Sequence, residues 1–586
     1  MPMIIKASFI NSIQAKVDWS GGDREEWNAA LALIKNTTGA IFNPDGKYWV
    51  IHIDNLKPLA VKAEQMGFQF FVSNEDWAYY TRYEASQDSV AELAFKLDVD
   101  GWVQPPHLKT EPRGYQKVAI TMMRHTLGGI ILGDPVGSGK TIECIGDMLY
   151  NNRIDLDKLS PNQILFLCPA TLKDNILKDF VKHTDIAHLV TVIEGVRKKR
   201  EEQWASSTPI KIASYQGTLI YDRDIMPKKW NRIYADEFNA VKNYESKANR
   251  FIKELDVRDG IVGMTATPIE LNLGELYSLY QVIQPGMLGT WAQFSRDHLE
   301  LDRFGGIKGS RNLIKLSERI APHQIKRTKA FILPQLPAKV PRTYTFDLSA
   351  TEMAEYNKIA NDFMRWVKEN AHRRVTNALK KDQKGNYITE SLRMRQFLDC
   401  PYLVDPALPI QNSKMEVLKQ LIESVDGKIV VFSQWARMIR ILNEHFTKLG
   451  YKTIMITGED VDIKDRMPLI NQFNSSEDDT KIFFTTDALQ RGVDLISADT
   501  IIHYDSLWNP AKMIEQREGR LHRMNRDRGS VLAIRLVANN TIEQTVERVL
   551  FERADLADSV EGLNETTLKD WGERQWKDAV KGKVID

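Results

Sequence analysis

The stretch ILGDPVGSGKTIECI, residues 131–145, decides the fold class of this chain. The apolar run at 128–132 that leads into it is typical of a buried parallel strand. After the strand, Gly137-Ser138-Gly139 predicts a tight turn whose backbone N–H groups can point at an anion. Apolar residues at helical spacing after Thr141 predict a helix whose N-terminus favours negative charge. The stretch therefore predicts a phosphate-binding loop in an α/β sheet.

One position departs from the general phosphate-loop pattern, G-x-x-x-x-G-K-[ST]. The first glycine of that pattern falls at Asp134 in this chain. The remaining positions fit, because Lys140 supplies a cation for the β and γ phosphates of ATP and Thr141 supplies a hydroxyl for Mg²⁺. An ordinary glycine turn before a helix is the alternative for this stretch alone, so other parts of the chain have to decide.

Composition narrows the class of protein without naming its function. The chain has 586 residues, of which 43% are hydrophobic and 27% are charged, and this length predicts about three to four domains. No apolar run is long enough for a membrane span and no signal pattern opens the chain. We therefore expect a soluble, intracellular protein without a membrane partner, either cytoplasmic or nucleoid in a bacterium or virus, or nuclear in a eukaryote.

Cysteine usage and net charge exclude further classes. Cys144, Cys168 and Cys400 are far apart and form no C-x-x-C pair, which argues against a zinc ribbon or a disulfide framework and for a reducing compartment. The formal net charge is only +1. A polyanionic partner would therefore have to be held by a local cleft rather than by a general basic field.

A second motif supplies the acidic groups that a phosphate loop requires. In RIYADEFNAVKN, residues 232–243, a short apolar strand is followed by Asp236 and Glu237. Carboxylates at the carboxyl end of a parallel strand face the crevice where α/β sheets bind ligands. We expect Asp236 to hold Mg²⁺ and Glu237 to orient or deprotonate the attacking water.

Two further stretches complete a hypothetical ATP site. In EPRGYQKVAITMM, Gln116 is a candidate for reading the adenine edge and Tyr115 for shaping the base pocket, although a polar helix start is the alternative. In MIEQREGRLHRMNR, Gln516, Arg520 and Arg523 have the spacing of one helical face. Such a face is usually solvated, but arginines placed across a cleft from ATP can accelerate hydrolysis by about 10³–10⁵. If they lie on another lobe, catalysis requires the lobes to close.

These motifs, in this order, resemble those of the SWI/SNF-like DNA translocases of helicase superfamily 2, whose characteristic loop also carries Asp at the position of Asp134. The resemblance extends from about residue 108 to 555. It rests on the loop itself and on the following blocks: ILFLCPATLKDNILKDF (164–180), IKIASYQ (210–216), GMTATPIELNLGELYSL (263–279), KIVVFSQW (428–435), FFTTDALQRGVDLISADTIIHYDSLWNPA (483–511) and EQREGRLHR (515–523).

The resemblance implies an α/β fold with two RecA-like parallel-sheet lobes and helical insertions. The activity that it implies is ATP-driven movement along double-stranded DNA. It implies ATP and Mg²⁺ as cofactors. The residues it assigns to catalysis are Lys140, Asp236, Glu237, Gln516, Arg520 and Arg523. Those it assigns to nucleotide are Tyr115, Gln116, Gly137, Ser138, Gly139, Lys140, Thr141, Gly492 and Asp494, with Thr141 and Asp236 as metal ligands. Those it assigns to DNA or coupling are Thr171, Thr265, Thr267 and Trp435.

The chain departs from the family at three places. Asn239 occupies the position where the family has His in the acidic motif, which puts coupling through that side chain in doubt. The blocks DALQRGVDL and QREGRLHR are closer to general superfamily 2 helicases than to the glycine-rich SWI/SNF form. The sequence is therefore interpreted as a divergent member.

Residues 1–105 predict a small α+β domain in the order ββαββαβ. The helix DREEWNAALALIK is expected to be capped by Asp23, and a hairpin is expected to turn at residues 43–46. This order resembles the HARP-type module of annealing helicases and the N-terminal domain of phage recombination helicases, which recognise forked or branched DNA.

The predicted domains are the N-terminal module at 1–105, the first lobe at 106–339, a helical insertion at 340–410, the second lobe at 411–545, and a C-terminal brace helix and tail at 546–586. Three functions stay open. The first is remodelling or reannealing of forked or branched DNA, and the second is strand separation by a superfamily 2 helicase. The third is displacement of a DNA-bound protein such as RNA polymerase, with residues 1–105 docking on that protein.

Overall fold

The structure is a computed structural model that describes residues 2–158, 160–269, 272–301, 307–332, 339–370, 392–487, 489, 495–505, 507, 517–521, 530–544 and 546–548. The chain divides into two compact units, one running through Ile332 and the other beginning at Leu333. The first unit contains the N-terminal module and one parallel sheet, and the second contains another parallel sheet.

The N-terminal module is one sheet with helices on one face. Its strands and helices are β1 (Ile4–Phe9), β2 (Gln14–Ser20), α1 (Arg24–Asn36), β3 (Ile41–Asn43), β4 (Tyr48–His52), α2 (Leu56–Gln65), β5 (Gln69–Val72) and α3 (Asn74–Leu93). The strand order is β3-β4-β2-β1-β5, antiparallel except for the parallel pair of β1 and β5. The predicted element order and the hairpin between β3 and β4 are confirmed, and α3 follows them.

Local sequence accounts for the module's elements. Asp23 caps α1, as predicted. It also forms a capping box with Glu26, which satisfies N–H groups that have no partner within the helix. Alternation along β1 and β2 buries Ile5 and Val17 against the helices and leaves the opposite face of the sheet open. Gly39 has a φ of +69°, and a Cβ there would lie 2.0 Å from the carbonyl oxygen of Gly286.

The sheet of the first lobe is parallel throughout its described strands. Strands of the lobe are β6 (Ile130–Leu132), β7 (Ile164–Cys168), β8 (Val190–Val192), β9 (Ile210–Ser214), β10 (Lys229–Trp230), β11 (Arg232–Asp236), β12 (Asp256–Val257), β13 (Ile261–Met264), β14 (Leu299–Leu301), β15 (Ile307–Ser310) and β16 (Gln324–Ile325). The main sheet has the order β16-β6-β13-β11-β7-β9-β8, with β10/β12 and β14/β15 as small separate pairs.

Helices cover both faces of this sheet and bury two hydrophobic clusters against it. They are α4 (Gly114–His125), α5 (Lys140–Tyr150), α6 (Lys173–His183), α7 (Arg197–Trp204), α8 (Lys247–Ile252), α9 (Leu273–Ile283), α10 (Trp291–His298), α11 (Leu313–Ile320) and α12 (Lys329–Ile332). The carboxyl ends of β6, β13 and β11 share one edge, so the loops that follow them meet there.

The second unit contains a parallel sheet of the order β17-β22-β21-β18-β20-β19. The described strands and helices are β17 (Lys339–Phe346), α13 (Ala350–Asn370), α14 (392–399), α15 (Ser413–Ser424), β18 (Lys428–Phe432), α16 (Ala436–Lys448), β19 (Thr453–Ile456), α17 (Ile463–Asn474), β20 (Ile482–Thr485), β21 (Ala498–His503) and β22 (Val531–Ala538). Two hydrophobic clusters fill its faces. The predicted fold class, two RecA-like lobes with a small α+β domain, is confirmed.

One expectation about the elements is wrong. The interval 340–410 was expected to be a helical insertion, but it opens with β17, which pairs along its whole length with β22. Its alternating β-branched and aromatic residues suit a strand, and Pro341 is tolerated because β17 lies at the edge of the sheet. The helical part begins only at Ala350. The brace segment beyond residue 548 lies outside the described residues.

Two general findings concern membranes and metals. Across the described residues, every helix is too short or too polar to span a bilayer. Within the same residues there is no group of three or more His, Cys, Asp or Glu side chains that could hold a metal ion by themselves. The three cysteines are buried and unpaired.

Candidate nucleotide site

The glycine loop lies between β6 and α5, as the sequence predicts. Gly137 and Gly139 have φ values of +86° and +85°, a left-handed backbone that favours glycine. Helix α5 begins at Lys140 without a side-chain cap, so the first N–H groups of the helix face the loop. The Ser138 hydroxyl is buried, and no hydrogen-bond partner for it occurs in the described part of the chain. The loop therefore offers unused donors to an anion.

Lys140 and Thr141 occupy the positions that phosphate and magnesium binding require. The Lys140 amine donates to the carbonyl oxygens of Asp134 at 2.7 Å and Pro135 at 3.1 Å, both within the loop. Burial raises the pKa of Asp179, and the nearby Thr141 hydroxyl acts on that carboxyl in the opposite direction. The amine is thus held over the loop by carbonyl oxygens that a phosphate can replace.

The structure places Tyr115 and Gln116 beneath the loop. The Tyr115 hydroxyl and the Gln116 amide both donate to the Ser138 carbonyl oxygen, at 2.7 and 2.8 Å. The other end of the Gln116 amide accepts from the Arg113 N–H at 2.9 Å. Both ends of this amide are engaged by the backbone, so the contact that the structure displays for Gln116 is support of the loop. Its contact with adenine stays a prediction.

Asp134, the residue that departs from the general loop pattern, is buried and ion-paired. Its carboxylate accepts from the Arg327 side chain and from the Arg327 backbone N–H, and the two side chains are 1% and 3% exposed. Arg327 was missed by sequence reasoning. The one signal was an aspartate at a position where the general phosphate-loop pattern has glycine, since a buried carboxylate requires a partner.

The acidic pair lies at the end of β11, two strands from β6 in the sheet. Asp236 ends the strand, and its carboxylate accepts from the Glu237 N–H at 2.9 Å. Glu237 has a φ of +49°, which turns the chain sharply after the strand. The Tyr215 hydroxyl fixes the strand end by donating to the Asp236 carbonyl oxygen at 2.8 Å. Both carboxylates are therefore at the same edge of the sheet as the loop.

A buried network connects the helix after the loop with the strand before the acidic pair. Asp147 on α5 accepts from the Tyr234 hydroxyl at 2.8 Å and lies 3.3 Å from the Arg232 guanidinium. Arg232 also donates to the Gly128 carbonyl oxygen at 3.0 Å, just before β6. Arg232 and Asp147 are fully buried. The network fixes α5, β6 and β11 relative to one another, and no local sequence pattern predicts it.

The coupling candidates of the first lobe occupy different surroundings. Thr265 is buried after β13, where its N–H donates to the Leu132 carbonyl oxygen at 3.0 Å and its hydroxyl accepts from the Thr267 N–H at 3.2 Å. Thr171 is exposed in the turn before α6. The structure therefore joins Thr265 directly to the loop strand and leaves Thr171 facing solvent.

The second unit contains the remaining predicted residues. Arg520 is 6% exposed and donates to the Leu489 carbonyl oxygen at 3.1 Å. Residues Glu518–Arg520 form a 3₁₀ turn, whereas an α-helical face had been expected. Trp435 precedes α16, where its backbone N–H donates to the Ser433 hydroxyl at 3.2 Å. Gln516, Arg523, Gly492 and Asp494 lie outside the described residues.

Arg517, next to the predicted residues, is the more deeply buried arginine of this turn. It donates to the Asp487 carboxylate at 2.6 and 3.1 Å and to the Asp505 carbonyl oxygen at 3.3 Å. The Asp505 carboxylate in turn accepts from the Gln434 N–H at 3.1 Å and from the Ser433 hydroxyl. These contacts gather the ends of β18, β20 and β21 at one edge of the second sheet.

Comparison with known proteins identifies two family models in this chain. The SNF2-related domain matches residues 77–403, and the helicase conserved C-terminal domain matches residues 413–525. Similar curated proteins include an uncharacterized ATP-dependent helicase of Mycoplasma genitalium, 26% identical over 76% of this chain. They also include the ISWI chromatin-remodeling complex ATPase of Saccharomyces cerevisiae, 25% identical over 79% of this chain. In both cases the match covers 42% of the relative, so the chain spans less than half of their length.

Among solved structures, the chain is similar to the Sulfolobus solfataricus SWI2/SNF2 ATPase core in complex with dsDNA. The identity is 22% and the TM-score is 0.37, with 84% of this chain and 100% of that chain covered. A structure of the Sulfolobus solfataricus SWI2/SNF2 ATPase core domain gives 22% identity and a TM-score of 0.35.

Proposed function

The chain belongs to the SNF2-related domain family, and we propose that it is an ATPase that moves along double-stranded DNA. One observation supports this proposal most directly. The carboxyl edge of one parallel sheet contains both the glycine loop with Lys140 and the Asp236-Glu237 pair. This edge is where α/β sheets bind nucleotides. DNA as the polymer is inferred from the family, because relatives of this chain are named as ATP-dependent helicases and chromatin-remodeling ATPases.

In this proposal the first lobe binds and orients ATP. The N–H groups at the start of α5 and the Lys140 amine hold the β and γ phosphates. Thr141 and Asp236 hold Mg²⁺, which when bound offsets the negative charge that develops on the phosphates. Glu237 orients the attacking water and accepts its proton. Ser138 fits this assignment because its buried hydroxyl has no protein partner among the described residues.

The second lobe completes the proposed site and the motor. Arg520 and Arg523 would reach the γ-phosphate on closure, with Gln516, Gly492 and Asp494 beside the nucleotide. Thr171, Thr265, Thr267 and Trp435 would contact the DNA backbone or relay the nucleotide state. Because the contacts are with phosphates, movement is expected to be independent of base sequence and sensitive to salt.

Substitution of Lys140 by Ala tests the ATPase. We expect the variant to lose duplex-stimulated ATP hydrolysis while its melting temperature stays unchanged, since the amine bonds only loop carbonyl oxygens. The matched control is Lys158→Ala, whose side chain is 82% exposed. ATP turnover by the Lys140 variant equal to that of the control would refute the assignment.

We propose the N-terminal module as the part that selects forked or branched DNA, on its HARP-like element order. Lys6 and Lys16 lie on the open face of its sheet and can contact phosphates. One observation favours the alternative of a docked protein. Residues 1–105 contain nine Lys and Arg but fourteen Asp and Glu, so the module repels DNA except at local basic positions. Phe71, 59% exposed on the same face, suits a protein contact.

Point substitutions separate these two functions better than removal of the module, because the module is bonded into the first lobe. His52 of the module bonds to Gln284 of the lobe at 3.1 Å, with both side chains buried. If the module selects forked DNA, we expect Lys6→Glu combined with Lys16→Glu to abolish the preference for forks over linear duplex. If the module docks on a protein, we expect this double variant to keep its fork preference. In that case Phe71→Asp should abolish DNA-free binding to RNA polymerase or histones. Unchanged behaviour of both variants would contradict both assignments.

A further inference from the structure

The buried pair of Asp134 and Arg327 connects the glycine loop with the end of the first lobe. Arg327 Nε lies 3.2 Å from each carboxylate oxygen of Asp134, and the Arg327 backbone N–H donates to the same carboxylate at 3.1 Å. The guanidinium and the carboxylate are almost inaccessible to solvent. Charge-assisted, forked hydrogen bonds of this kind fix geometry more tightly than neutral ones.

Arg327 holds a second side of the loop through Tyr115. Its Nη1 donates to the Tyr115 carbonyl oxygen at 3.0 Å, and its guanidinium lies 5.5 Å from the centre of the Tyr115 ring. The Tyr115 hydroxyl donates to the carbonyl oxygen of Ser138, which lies in the glycine turn of the loop. One guanidinium therefore supports the beginning of the loop directly and its glycine turn through one intervening residue.

Glu143 is the other acidic group near this pair, and it does not compete for Arg327. Its pKa is raised well above the usual value, first by burial and then by the negative charge of Asp134. Neither of its carboxyl oxygens has a hydrogen-bond partner among the described residues. The fork of Arg327 is thus directed to Asp134.

The position of Arg327 in the chain gives the pair its significance. Arg327 follows the edge strand β16, whose Ile325 carbonyl oxygen accepts from the Gly133 N–H at 2.6 Å. Only the short helix α12 separates Arg327 from Leu333, where the second unit begins. The residue that holds the loop is therefore also at the point where the chain leaves the first lobe.

We propose that Arg327 is a positioning residue for the nucleotide, which sets the glycine loop through Asp134 and Tyr115 and transmits displacement of the following helix α12 to that loop. The proposal rests on the ATPase function proposed above. It explains why an aspartate occupies the position of a loop glycine in this chain. A neutral residue there would leave the guanidinium without its carboxylate.

The test compares a neutral pair with wild type. Asp134→Asn combined with Arg327→Gln removes both charges, so no unpaired charge is buried and the melting temperature is expected to stay near that of wild type. We expect the KM for ATP and the Kd for a fluorescent ATP analogue to rise roughly 10- to 100-fold, because the loop is no longer fixed. The ratio of ATPase rates with and without duplex DNA is expected to fall. An unchanged KM and Kd in this variant would overturn the proposal.

A purely structural role gives a different result. Loss of folded protein lowers the apparent kcat and leaves KM unchanged, and that outcome also overturns the proposal. If the neutral pair does not fold, Arg327→Lys is the alternative test, since lysine retains the positive charge but loses the forked hydrogen bonds of the guanidinium. We expect its KM to lie between those of wild type and the neutral pair, and a wild-type value would contradict us. Failure of wild-type protein to bind the ATP analogue would instead remove the proposed function.

Discussion

The two ends of strand β6 are fixed in different ways. At its carboxyl end, a buried ion pair between Asp134 and Arg327 holds the glycine loop. At its amino end, the Gln284 amide donates to the carbonyl oxygens of Leu127 and Gly129 at 2.7 and 2.8 Å. Gln284 also contacts His323 Nδ1 at 2.9 Å and, on the N-terminal module, His52 at 3.1 Å. One end therefore depends on charge and the other on neutral hydrogen bonds.

This difference indicates different tasks for the two ends. The ion pair restricts a loop that has to present N–H groups to phosphates in one geometry. The neutral cluster attaches a module to the lobe, and Gly39 assists by letting its backbone approach the Gly286 carbonyl oxygen. The ion pair and the neutral cluster hold the two ends of the same three-residue strand. Strand β6 therefore connects the N-terminal module to the nucleotide site.

The largest expected effect comes from breaking the charged end. Asp134→Asn leaves the Arg327 guanidinium buried without a negative partner, and we expect the free energy of unfolding to fall by about 3–5 kcal/mol. Urea denaturation measures this change. As a control, Asp224→Asn removes an exposed partner of Arg197 and should have little effect. Equal stability of the two variants would contradict the assignment of a strong charged end.

A smaller effect is expected from breaking the neutral end. Gln284→Leu leaves the Leu127 and Gly129 carbonyl oxygens without this donor, and we expect a loss of about 1–3 kcal/mol. Limited proteolysis should then cut between the module and the lobe sooner than in wild type. Gln69→Leu, at an exposed position of the module, serves as the control. Unchanged protection in the Gln284 variant would show that apolar packing alone attaches the module.

The smallest expected effect is a loss of stability at acidic pH that arises from His323 at the neutral end. Burial lowers the pKa of His323 to about 4, with Arg319 and His52 acting in the same direction and Asp54 against it. An unfolded histidine titrates near 6.5, so between about pH 6.5 and 4 the unfolded chain binds a proton that the folded chain does not. Stability should therefore fall as the pH falls, by about 1 kcal/mol at pH 5.5.

Comparison with His323→Gln isolates this contribution. We expect the stability of the variant to change less between pH 8 and pH 5.5 than that of wild type, measured by urea denaturation at each pH. Parallel curves for the two proteins would show that the acid sensitivity arises elsewhere.

Several features could be predicted from the sequence because each depends only on residues close together in the chain. The glycines and Lys140 lie within a few positions, and Asp236 and Glu237 end an apolar strand. The spacing of apolar residues likewise predicted α5, and Asp23 as a helix cap predicted the start of α1. Strand β17 was missed because a charged helical neighbourhood concealed its alternation. The shared face of Gln516, Arg520 and Arg523 stays a prediction, because two of these residues lie outside the described part of the chain.

The sequence by itself thus determined the α/β class, the order of the two parallel-sheet lobes and the position of the phosphate loop. It could do so because backbone periodicity and turn chemistry act over a few residues. Only the tertiary structure decided which residues hold that loop and attach the N-terminal module. Arg327 is 193 positions from Asp134, and Gln284 is 232 from His52. The sequence does not distinguish a polar residue that is solvated from one that is buried against a partner. Such pairs can therefore be identified only from the folded sheet.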